Sequence, residues 1–273
     1  MLASILQILL GFAVGTFGTL IGAGGGFILV PVLLLLYPEN DPNIITSISL
    51  AVVFFNALSG SFAYGRMKKI DYKSGLIFSA ASLPGSILGA YATSFIPRHI
   101  FDGIFGVLLV ALAAFLLTKK TPADGEKDNL DQSNNITRII TDGDGTSYTF
   151  SYSLTTGIMV SFLVGCFSSL LGIGGGIIHV PALVNLLNFP VHIATATSHF
   201  VLCITAFSGS MVHLFSGTLI AGIHQILFLS IGVLVGAQLG ARLSKKIHSH
   251  IIMKSLAIAL ALVGIRIFIL AFS

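Results

Sequence analysis

One stretch of fourteen residues occurs twice in this chain, 150 residues apart. The first copy is Leu20-Ile-Gly-Ala-Gly-Gly-Gly-Phe-Ile-Leu-Val-Pro-Val-Leu33 and the second is Leu170-Leu-Gly-Ile-Gly-Gly-Gly-Ile-Ile-His-Val-Pro-Ala-Leu183, with 9 of the 14 paired positions identical. Gly22, Gly24, Gly25 and Gly26, and again Gly172, Gly174, Gly175 and Gly176, place the least helix-favouring ordinary residue inside a long apolar run. Such a break leaves backbone N–H and C=O groups unpaired. Within a bilayer that is tolerated only where the backbone is buried in protein or lines a wet cavity.

The bilayer follows from composition. Of 273 residues, 55% are hydrophobic and 9% charged, where a soluble domain carries about 25% charged residues. Many segments exceed the ~18 apolar residues that a spanning helix needs. The chain reads as an all-α polytopic membrane protein. Its net charge of +4 says little about nucleic acid, because the Lys and Arg residues sit between spans. Cys166 and Cys203 lie in apolar segments and read as small buried residues. The start, Met1-Leu-Ala-Ser-Ile-Leu-Gln7, lacks the basic region of a signal peptide and reads as part of the first helix.

Spans are expected over about 2–20, 44–64, 74–95 and 100–118, with a half-length helix over about 27–37 after the first glycine cluster. Pro31 falls in the first turns of that half-helix, where proline does least damage. The second half repeats the plan with spans over about 154–171, 192–214, 221–243 and 250–272, and a half-helix over 177–187 carrying Pro181. The chain thus divides into a first membrane repeat, 1–118, a polar linker, 119–151, and a second membrane repeat, 152–273. The linker's second part, with Asp142-Gly-Asp-Gly145 between β-branched and aromatic residues, predicts a small β-hairpin. Its two aspartates lack the other ligands of a calcium loop. Similarity extends past the glycines: 44–61 aligns with 193–210 at 8 of 18 positions, and Gly85-x-x-x-Gly89 pairs with Gly232-x-x-x-Gly236.

Charge placement selects the topology. If each glycine-broken pair forms a hairpin returning to its starting side, the halves are inverted repeats. The loops at 66–73, 119–151 and 242–250 then share one face and collect 11 of the 14 Lys and Arg residues. If each pair is one broken span, the halves are parallel and Arg242, Lys245 and Lys246 change sides. The excess of positive charge on cytoplasmic loops favours the hairpin, a cytoplasmic linker and both termini outside the plasma membrane.

The spans hold no Asp or Glu at mid-depth, and Asp102 near a helix start is the nearest carboxylate. That disfavours a carboxylate proton relay or a cation pump. Uncharged polar residues recur instead at matched positions beside the breaks: Ser49, Asn56, Thr195, Ser198 and, breaking the symmetry, His199. Each half-helix starts at a glycine cluster, Gly24–Gly26 or Gly174–Gly176, and a helix N-terminus offers free N–H donors and partial positive charge. A paired helix break in two halves is the strongest sequence pointer to a transporter binding site. If the breaks meet in space, they and these side chains form a midplane site for a small anion. His179 replaces Leu29 of the first copy and reads as a structural histidine. The Gly-x-x-x-Gly patterns read as close helix packing. The glycine clusters lack a dinucleotide fingerprint and a phosphate-binding lysine.

With Gly22-Ala-Gly-Gly-Gly26 and Pro31, and Gly172-Ile-Gly-Gly-Gly176 and Pro181, in place, the chain resembles the sulfite exporter TauE/SafE family, also called the toluene sulfonate uptake permease family. The resemblance covers nearly the whole chain. It implies movement of sulfur-containing anions such as sulfite, thiosulfate and organosulfonates, which agrees with a site poor in carboxylates. The leading expectation is a secondary transporter with the lipid bilayer and a small anion as its partners, needing no cofactor, metal or nucleic acid. The alternative is a carrier of a carboxylate or a metal ion on the same scaffold. An enzyme is not expected, since Ser198 and His199 are adjacent on a helix and do not face each other. Nothing in the sequence indicates an oligomeric state.

Overall fold

Ten α-helices and one β-hairpin make up the described part of a computed structural model, which covers residues 2–37, 39–118 and 135–247 and single positions of a helical tail between 251 and 265. The first part of the linker, 119–134, and most of the span expected over 250–272 lie outside the described residues. In chain order the elements are α1 (Leu2–Ile21), α2 (Gly26–Leu36), α3 (Pro42–Arg66), α4 (Tyr72–Ala92), α5 (Arg98–Thr118), β1 (Asn135–Thr141), β2 (Ser147–Ser153), α6 (Leu154–Leu170), α7 (Gly176–Leu186), α8 (Val191–Phe215), α9 (Thr218–Ala221) and α10 (Ile223–Ser244). Five of them, α1, α3, α4 extended by a 3-10 turn, α8 and α10, are long and apolar enough to cross a membrane. The chain is an all-α polytopic membrane protein whose apolar side chains also cover its outer face, as with Leu6, Phe62, Leu88 and Leu227.

Local chemistry sets the element ends. Asp41 caps α3 by accepting from the Asn43 N–H at 2.7 Å, with Pro42 at the first helical position. Asp71 caps α4 through the Ser74 N–H. Pro31 and Pro181 each occupy the sixth residue of an eleven-residue helix, so each deprives one carbonyl of its partner in the second turn.

Corresponding elements of the two halves make corresponding contacts. Helix α1 packs along α10 and α6 along α4, while α3 and α8 cross each other at the centre. The first two seams are backbone to backbone. A Cβ on Gly89 would lie 2.0 Å from the Cys166 carbonyl oxygen, and one on Gly240 would lie 2.3 Å from that of Thr16. Likewise Gly85 faces Phe162 and Gly236 faces Phe12. The structural counterparts of Gly85 and Gly89 are therefore Gly236 and Gly240, one helical turn beyond the pairing with Gly232 and Gly236 that the sequence suggested.

The hairpin β1–β2 is antiparallel, with Asn135 opposite Ser153 and Thr141 opposite Ser147. It is tied down on both halves. Arg138 Nε lies 3.4 Å from Asp71 Oδ2, Lys69 Nζ lies 3.7 Å from Asp142, and Lys245 Nζ lies 2.7 Å from Asp144. The bond from Lys245 holds the Asp144 carboxyl below its ordinary range. Phe150 and Tyr152 pack on Phe189, and Tyr152 also meets Phe78. The basic segments 66–73 and 242–247 and the hairpin thus gather at one end of the molecule.

Candidate functional site: two facing helix breaks

At each break the chain turns through left-handed backbone. The φ angles are 81° at Gly22, 75° at Gly24 and 83° at Gly25, and 70° at Gly172, 77° at Gly174 and 93° at Gly175. Side-chain-bearing residues avoid this region, so glycine makes the turn possible. The turn folds back on the preceding helix: the N–H groups of Ala23 and Gly24 donate to Gly18 O, and those of Ile173 and Gly174 to Ser168 O. Helices α2 and α7 then begin. Among the described residues, the N–H groups of Gly25, Gly26 and Phe27, and of Gly175, Gly176 and Ile177, find no acceptor. Two helix N-termini with free donors therefore lie inside the bundle.

The breaks meet. A Cβ on Gly26 would lie 2.7 Å from Ile173 O, and one on Gly176 would lie 2.3 Å from Gly22 O. Contact this close leaves no room for an ion directly between the two backbones in this conformation. Open space lies instead to one side, at the second break.

Side chains from the crossing helices reach the opposite break. Ser49 Oγ on α3 donates to Gly172 O at 2.6 Å, and Ser198 Oγ on α8 donates to Gly22 O at 3.4 Å. Asn56 Nδ2 donates to Gly24 O at 2.9 Å and its Oδ1 accepts from Thr19 Oγ1 at 3.0 Å. His199 Nε2 sits 3.1 Å from that same hydroxyl, and the Tyr64 hydroxyl donates to Thr19 O at 2.8 Å. Thr195 packs against Gly22, and its Oγ1 is buried with no partner. Of the side chains that the sequence pointed to, Ser49, Asn56 and Ser198 thus spend their donors on carbonyls of the breaks. His199 belongs to the network at the first break.

The open space is a pocket of about 190 Å³ between atoms, part of it open to the outside, whose clear interior is no larger than one water molecule. Its polar lining comes from Ser82, Ser168, Gly175, His179, Ser198 and Thr205. His199 is absent from it, and His179 is present. The His179 ring is buried, its Nε2 lies 3.3 Å from Ser161 Oγ, its Nδ1 has no partner, and Phe78 packs edge-on against it. Sequence reasoning passed over Ser82 and Ser168. It read His179 as structural, although His179 is the histidine that stands on the half-helix itself, one turn after the glycines.

Comparison with known proteins agrees with this architecture. The pattern of the sulfite exporter TauE/SafE family matches residues 7–267. The probable membrane transporter protein YunE of Bacillus subtilis is 35% identical over 271 residues, covering 96% of each chain. A probable membrane transporter protein of Methanocaldococcus jannaschii is 28% identical over 266 residues, covering 92% of this chain and 91% of its own. No solved structure matches the chain. Doubled glycine break, helical bundle and near full-length similarity converge: the chain belongs to the sulfite exporter TauE/SafE family of membrane transporters.

Proposed function

We propose that this protein is a secondary transporter of a small sulfur-containing anion of the sulfite, thiosulfate or organosulfonate type, bound at the glycine breaks. The observation that carries this reading is the set of N–H groups at the starts of α2 and α7 that have no acceptor among the described residues. Backbone donors at a helix N-terminus recognise negative charge without a cationic side chain. The pocket beside them is lined by hydroxyls and one imidazole, with no carboxylate among its lining residues. That lining suits an oxyanion and is a poor ligand set for a divalent metal.

Transport follows from rocking one half against the other about the contact of the breaks. We take the halves as inverted repeats and the end bearing the hairpin as cytoplasmic, with both termini outside the plasma membrane. The ion pairs that join Lys69 and Lys245 to the hairpin support this arrangement, since they put 66–73 and 242–247 on one side.

The test is flux into proteoliposomes of a labelled panel: sulfite, thiosulfate, sulfate, an organosulfonate and a carboxylate. Saturable flux of a sulfur anion is expected. Saturable flux of the carboxylate alone replaces the sulfur-anion reading with that of a carboxylate carrier, which the same donors serve.

A further inference from the structure

We propose that the two breaks have divided their work: the first is a pinned pivot, and the second alone seats the anion, with His179 as its side-chain contact. This rests on the anion-transporter reading above and assigns the substrate to one of two related sites.

The first break is closed by its neighbours. Gly24 O accepts from Asn56, Asn56 accepts from Thr19, and Thr19 is in turn held by His199 and Tyr64. Asn56, Thr19 and His199 have counterparts in the other half of the chain, and these do not close the ring. Thr205 stands for Asn56 and bonds only carbonyls of its own helix. Ser169 stands for Thr19, and its hydroxyl is buried without a partner. Leu50 stands for His199. Among the described residues, Gly174 O receives no side-chain donor where Gly24 O receives one.

The pocket shows the same division in reverse. Its residues Ser82, Ser168 and His179 correspond to Val233, Gly18 and Leu29 at the first break. The Ser82 counterpart follows from contacts, since a Cβ on Gly165 would meet Ser82 and one on Gly15 would meet Val233. Leu29 and Val233 are fully buried and fill with carbon the place that is polar and open at the second break.

His179 supplies the independent sign of a ligand. Its ring is 1% exposed, it lines the pocket, and Nδ1 has no partner. In the tautomer in which the Ser161 hydroxyl donates to Nε2, Nδ1 carries the ring proton and is a donor, and anion binding here requires this tautomer. Ser168 donates only to Gly165 O at 3.2 Å on its own helix, a bond that a hydroxyl leaves at little cost by rotating toward an oxyanion. A buried donor without an acceptor is costly, and an anion at the start of α7 relieves it.

The experiment compares purified wild type with His179→Leu, Ser168→Ala and His199→Leu, by flux of the best anion of the panel and by the thermal shift that sulfite or thiosulfate produces. His179→Leu installs the residue that the related position already accepts. It is expected to keep the basal Tm, lose the anion-induced shift, and raise KM by about 10- to 100-fold, the loss of one hydrogen bond to a charged group. Ser168→Ala is expected to give a smaller rise of the same kind, and it carries the test should His179→Leu fail to fold. His199→Leu is expected to lower the basal Tm and keep the shift. If wild type responds to an anion and His179→Leu and Ser168→Ala respond equally well, the assignment to the second break is wrong and the anion reading stands. Loss of the shift in His199→Leu with retention in His179→Leu places the seat at the first break and also overturns it. If wild type responds to no anion, both readings fall together.

Discussion

The Ser49 hydroxyl donates to the Gly172 carbonyl oxygen at 2.6 Å, across 123 residues of sequence, and Ser198 does the same for Gly22 at 3.4 Å. Each half therefore holds the other half's break. A serine has one proton to donate, and here it is committed to protein. Ser49→Ala is expected to cost about 1–3 kcal/mol by orphaning a buried carbonyl, and Ser198→Ala less, because its bond is longer. Chemical denaturation in detergent measures both. A loss of anion affinity at unchanged stability contradicts this role.

The glycines of the turns admit no side chain. A Cβ on Gly25 would lie 2.6 Å from Val14 Cγ1 and 2.8 Å from Val14 O, while one on Gly175 would lie 3.0 Å from Ser168 Oγ. Both substitutions also pay the left-handed penalty of about 1–2 kcal/mol. Gly25→Ala is expected to be the more damaging, since it strikes a backbone atom and Gly175→Ala strikes a movable hydroxyl. Were these segments plain helix, alanine would instead stabilise by up to ~1 kcal/mol, so the sign of the Tm change decides.

The helix seams separate two kinds of glycine. Gly89→Ala drives a Cβ into the Cys166 carbonyl, and loss of folded protein is expected. Gly103→Ala meets nothing within 4 Å, and a stabilisation of up to ~1 kcal/mol is expected from helix propensity. Yield of monodisperse protein and Tm report on both.

Removing Arg138 leaves Asp71 buried and short of a partner, with Asp71 also capping α4. Arg138→Ala is expected to cost about 3 kcal/mol, the lower end for breaking a buried pair. Lys245→Ala breaks an exposed pair with Asp144 and is expected to cost much less, since solvent screens that pair. Equal effects in denaturation would show that the hairpin is not anchored through Asp71.

The proposed orientation is read by cysteines at Glu39 and Asp144, in turn, on a background lacking Cys166 and Cys203. An impermeant thiol reagent added outside cells is expected to label position 39 alone. Labelling at 144 reverses the orientation.

Much of the architecture was legible in the chain alone. Glycine clusters in apolar runs mark helix breaks because glycine lacks helix preference and tolerates left-handed backbone, and each half-helix begins within a residue of where the glycines end. The Asp142–Gly145 turn marked the hairpin for the same local reason. Tertiary structure alone decided what the polar side chains do. Ser49, Asn56, Ser198 and His199 were singled out by their place beside a break, but their partners lie 32 to 180 residues away and are chosen by how α3 and α8 pack. The same holds for the glycine seams: Gly232, Gly236 and Gly240 repeat every four residues, so sequence cannot tell one turn from the next, and the contact with α1 selects Gly236 and Gly240 as counterparts of Gly85 and Gly89. His179 and His199 each replace a leucine of the first copy, and only His199 was read into the site. Packing put His199 into a closed network and left His179 beside open space, because a hydrogen-bond inventory is completed by neighbours in space, and spacing along the chain does not contain them.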